Sequence, residues 1–122
     1  MNADPALLFA TARDERARRK AAWKTAGQGL SDRAAWDDAV WSNIEQRTGL
    51  AAADPVCRQR QPQSWHPPAM IMMARSAWAT AVKAETSLDA TDPANAAKIS
   101  ALWTLFRWLK PAGWSPYFEA TA

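Results

Sequence analysis

"PAMIMMARSAWATAVKAETS", residues 68–87, decides the fold. At about 100° per residue, Met70, Met73, Ala74, Ala77, Trp78, Ala81 and Val82 fall on one broad face with Ile71, while Arg75, Ser76, Thr80 and Lys83 lie elsewhere. This period predicts a helix whose methionines and tryptophan fill a core, and whose alanines let a neighbouring helix come close.

Working outward, Asp-Pro occurs at 4–5, 54–55 and 92–93, and Asp followed by Pro suits an N-cap and a first helical turn. The first pair predicts a helix from Pro5 to about Thr25, stopped by the glycines of "GQG" at 27–29. A second helix is expected from the N-cap Ser31 to Gly49, with a narrow apolar stripe of Trp36, Val40, Trp41 and Ile44 into which Asp37 intrudes. The stretch "AAADPVCRQRQPQSWHPP", 51–68, has no period and reads as a long loop with one helical turn after Asp54. The fourth helix is expected from Pro93 to about Lys110, with Ile99, Leu102, Trp103, Leu105, Phe106 and Leu109 on one face and Trp108 opposite, and it ends before Pro111.

Alanine takes 28 of the 122 positions against six for Val and Ile together, which favours helix over strand. The expectation is therefore one all-α domain over residues 1–122. It is a small bundle of four helices with helix three central, a long irregular loop between helices two and three, and an aromatic C-terminal tail. Cys57 is the only cysteine, which fits a reducing compartment. The opening "MNADPALLFATA" has no basic residue ahead of its short apolar run, and no stretch is apolar for the length a bilayer needs. A cytoplasmic protein with no membrane contact is expected, of bacterial or mobile-element origin given its size and alanine content.

Catalytic chemistry finds no constellation. Cys57 and His66 share a loop with Arg58 and Arg60, but no orienting partner or oxyanion donor accompanies them, so an inert cysteine and a loop histidine are expected. One histidine without a cysteine cluster leaves no zinc site, and Asp37 and Asp38 point about 100° apart on a helix. No catalytic, metal-ligating or cofactor-binding residue is assigned, and a non-enzymatic protein is expected.

The charge is +3 with a pI near 9.4, well short of a dedicated nucleic-acid clamp. Its basic density sits in "RDERARRKAAWK", 13–24, where Arg13, Arg16, Lys20 and Lys24 line one side of a helix with Arg19 beside them. Such a stripe can neutralise phosphates, while pairs such as Asp14–Arg18, Glu15–Arg18 and Glu15–Arg19 would make it an ordinary solvated face. A helix-turn-helix is excluded by the acidic residues Asp32, Asp37, Asp38 and Glu45 on the would-be recognition helix. Six of the chain's twelve aromatic residues lie between 102 and 118. Trp103 and Phe106 belong to the apolar face. Trp114 and Phe118 either fold back on Trp108, or Trp108, Trp114 and Tyr117 with Arg107 and Lys110 form an exposed anchor for a partner. The expected function is binding to a protein partner, as adaptor, inhibitor or accessory factor, through that aromatic and arginine surface. Weak, salt-sensitive nucleic-acid binding by the helix-one stripe is the alternative.

Overall fold

The computed structural model describes residues 4–53 and 67–115. They form four helices and, among the described residues, no strand: α1 Pro5–Thr25, α2 Asp32–Ala53, α3 Pro67–Ser87 and α4 Pro93–Leu109. The all-α class read from the sequence is the class observed. The backbone clusters into two compact units, residues 1–59 and 60–122, each built on one helical hairpin.

Both described Asp-Pro signals act as the local chemistry requires. The Asp4 carboxylate accepts from Ala6 N–H at 3.1 Å and the Asp92 carboxylate from Ala94 N–H at 2.9 Å. Helix α1 ends where Gly27 adopts φ +73°, a left-handed conformation open to glycine at little cost. Ser31 then starts α2, its Oγ accepting from Ala34 N–H at 3.1 Å. The Asp54-Pro55 turn, Cys57 and His66 lie outside the described residues, as do Tyr117 and Phe118.

Helix α2 does not stop at Gly49 but runs on to Ala53. Leu50 and three alanines sustain it, and Gly49 serves a different purpose: a Cβ there would lie 3.2 Å from the ring of Phe9 on α1. The two helices are antiparallel, since Phe9 faces Gly49, Arg16 bonds both Asp38 and Glu45, and Trp23 bonds Asp37. The inward face of α2 also differs from the expected stripe. Ala34, Trp41, Ile44, Thr48 and Ala51 are buried, whereas Trp36 is 62 % exposed. The carboxylates explain the rotation: Asp37, Asp38 and Glu45 turn toward the arginines of α1, and Trp36 is carried outside.

In the second hairpin Met73, Ala74, Ala77, Ala81 and Ala84 of α3 are buried, as are Leu102, Leu105, Phe106 and Leu109 of α4. Leu88, Ile99 and Trp103 close over Ala81, Ala84 and Leu102. The alanine row is turned inward, small side chains of the kind that permit a close helix approach. Trp78, placed in the core by its angle, is half-buried. Thr80, placed outside it, is buried with its hydroxyl donating to Ser76 O at 2.8 Å, so the buried face is centred nearer Thr80 than the apolar pattern indicates.

Candidate functional site

Helix α1 has few large apolar side chains beyond its first turn, and beside the buried Leu8 and Ala12 its contact with α2 carries a set of charged side chains. Arg16 donates through Nε and Nη2 to the two carboxylate oxygens of Asp38, at 2.8 and 3.1 Å, and through Nη1 to Glu45 at 2.7 Å. Arg19 donates to Glu15 at 3.1 Å and to Asp37 at 2.6 Å, while its guanidinium lies 4.9 Å from the ring centre of the fully buried Trp41. The Glu15 side chain, 2 % exposed, also accepts from Arg18. The other oxygen of Asp37 accepts from the indole N–H of Trp23 at 2.9 Å. Nine polar or aromatic side chains thus form one layer between the helices, in which each buried charge has a partner.

This layer divides the basic stripe read from the sequence. Arg16 and Arg19 are held by carboxylates. Arg13 lies 3.9 Å from Asp14 with its guanidinium 5.5 Å from the Phe9 ring centre. Lys20 and Lys24 are exposed, and neither makes an ion pair among the described residues. The local pairs Glu15–Arg18 and Glu15–Arg19 are present, but the interhelical pairs are beyond a reading confined to one helix.

Hydrogen bonding from Arg16 holds the Asp38 carboxyl below its ordinary value; partial burial opposes this, and the charges of Arg16 and Lys20 reinforce it. A depressed folded-state pKa stabilises the fold above the unfolded value, near about 4, and that contribution disappears as pH falls through the folded value. Helicity of the first hairpin, followed by circular dichroism, should therefore hold at neutral pH and fall below about pH 4. Asp38→Asn should flatten that acid limb. An acid limb identical in the variant would show that other carboxylates set it.

Beside the layer, at the hairpin tip, is a half-open groove of about 540 Å³. Lys20, Ala21, Trp23 and Lys24 of α1 form one wall, Gly29 and Leu30 the end, and Ala34, Ala35 and Asp38 of α2 the other wall. Leu30 is fully exposed.

The C-terminal set is arranged differently from a projecting anchor. Arg107 is exposed, Trp108 and Lys110 are half-buried, and Tyr117 lies outside the described residues. Trp114 folds back, half-buried, with its ring 6.5 Å from that of Phe106 at 66°, and Phe106 in turn lies 5.9 Å from Trp103 at 80°. These are edge-to-face contacts. The ring that receives Trp114 is thus Phe106 of the core face. The large exposed apolar side chains among the described residues, Leu7, Leu30, Trp36 and Leu50, all lie on the first hairpin.

No family model matches the chain, and no curated protein or solved structure matches it. Among the described residues, no helix is long and apolar enough to cross a membrane.

Proposed function

We propose that this chain is a non-enzymatic binding protein, an adaptor, inhibitor or accessory factor, whose partner is another protein. The observation that carries the reading is the asymmetry of exposed apolar surface. Among the described residues the second hairpin leaves no large apolar side chain exposed, whereas the first leaves Leu30 and Trp36 open at one end and Leu7 and Leu50 at the other. Trp36, Val40, Arg47 and Leu50 share one side of α2, and tryptophan and arginine are the residue types that dominate interface energies. The sequence-derived anchor contributes Arg107, Trp108 and Lys110 as a second surface, with Trp114 serving the core. The lone cysteine supports a cytoplasmic site of action. Nucleic-acid binding by Arg13, Arg16, Arg19, Lys20 and Lys24 ranks below this reading, because Arg16 and Arg19 would have to leave carboxylates to reach phosphates.

The test is affinity purification from the native host with the wild-type chain and with Trp36→Ser/Leu50→Ser. Both positions are exposed, so the double variant should fold with stability changed by only about 0.5 kcal/mol per site. It should capture far less of a defined protein. Equal capture by both would remove the α2 face from the reading. Nucleic acid retained at physiological salt and lost in an Arg16, Arg19, Lys20 triple alanine variant would replace protein with nucleic acid as the partner.

A further inference from the structure

We propose that the groove at the tip of the first hairpin is a docking site for an acidic segment of a partner protein that carries a bulky apolar side chain. The inference rests on the protein-binding reading above and adds a place and a chemistry to it.

Charge complementarity selects the occupant. Three charged side chains line the groove, and one of them is already committed: both Asp38 oxygens accept from Arg16. Lys20 and Lys24, one helical turn apart and exposed, make no ion pair among the described residues. The rest of the lining is apolar. Ala21, Ala34 and Ala35 contribute methyl groups, Leu30 a whole side chain open to water, and Trp23 a ring whose only polar atom is occupied by Asp37. A volume of about 540 Å³ falls within the 300–1,000 Å³ typical of ligand pockets. It can take one large side chain and the backbone on either side of it. The alanine methyls and Leu30 suit the burial of a Leu, Ile, Phe or Trp side chain, which can also pack on the Trp23 ring, and two lysines favour Asp or Glu beside it. The covering of Leu30 by such a side chain would add apolar burial to the ionic contacts.

A phage-displayed random peptide library selected on the full chain tests this. Enriched peptides are synthesised and titrated by fluorescence anisotropy against wild type, Lys20→Glu/Lys24→Glu, Leu30→Ser and Trp36→Ser/Leu50→Ser. All the altered side chains are exposed, and thermal melts confirm that each variant is folded. The expected winners combine Asp or Glu with a bulky apolar residue. They should lose about tenfold or more in affinity for the lysine variant, the scale of two surface ion pairs, lose affinity for Leu30→Ser, and bind the α2-face variant as they bind wild type. Winners without acidic residues, or winners that bind the groove variants as tightly as wild type, overturn the groove assignment. If those same winners fail only with Trp36→Ser/Leu50→Ser, the protein-binding reading survives. No enrichment overturns the groove even when the host purification yields a protein, and no enrichment together with no captured protein overturns both. Tighter groove-dependent binding of a labelled single-stranded oligonucleotide or of laurate, or groove-dependent self-association in sedimentation, would reassign the occupant.

Discussion

Trp41→Ala destabilises the protein by about 3–5 kcal/mol, the range for removing a large buried aromatic side chain. Trp41 is the largest side chain fully closed to solvent, so the substitution opens the biggest cavity available among the described residues. It also removes the ring beneath the Arg19 guanidinium, which would be left facing a void while bound to Glu15 and Asp37. Urea unfolding followed by far-UV circular dichroism measures the loss. Trp36→Ala is the matched comparison on the same helix and should change stability by only about 0.5 kcal/mol. If the two variants melt alike, α2 turns a different face inward and the charged layer is misassigned.

Phe106→Ala is the corresponding lesion in the second hairpin, with a similar expected cost of about 3–5 kcal/mol. Phe106 is 7 % exposed and makes edge-to-face contacts with both Trp103 and Trp114, so its removal cancels two aromatic contacts as well as its own burial. A structural readout separates this from a simple cavity. Trp114 is held against Phe106, so truncation after Gly113 should lower the melting temperature of the wild type and lower it less in the Phe106→Ala background. Equal losses in both backgrounds would mean that Trp114 packs on something other than Phe106.

The second hairpin was the more legible half of the fold. In α3 and α4 the apolar residues recur at helical spacing, and the sequence angles place Leu102, Leu105, Phe106 and Leu109 where burial finds them. The first hairpin was harder because its inward face mixes apolar residues with charges. Angle alone treats Asp37 as an intruder in a stripe led by Trp36; only the arginines of α1, supplied by an antiparallel neighbour, turn Asp37, Asp38 and Glu45 toward α1 beside the buried Trp41 and Ile44. A signal for this was present in the sequence. A basic helix followed through a short turn by an acidic one is complementary, and pairing the two would have moved Trp36 outward. Gly49 misled for a related reason: a glycine in a helix reads as a stop, whereas here it makes room for Phe9 across the interface. The tip groove had no sequence signature, because its lining is assembled from three segments whose residues carry no common motif.

The charged layer also gives the first hairpin an unusual thermal character. Exposure of apolar surface raises the heat capacity of a protein on unfolding and exposure of polar surface lowers it. Separation of α1 from α2 uncovers Trp41, Leu8 and Ile44 but also hydrates carboxylates and guanidiniums, so the two contributions partly cancel. Among the described residues of the second hairpin leucine, phenylalanine and alanine dominate the buried set, with Thr80 the buried polar side chain beside them. The stability of the ionic hairpin therefore varies less steeply with temperature. Cooling weakens the hydrophobic contacts of the second hairpin more than the ion-paired contacts of the first, so the two helical pairs respond differently to cold.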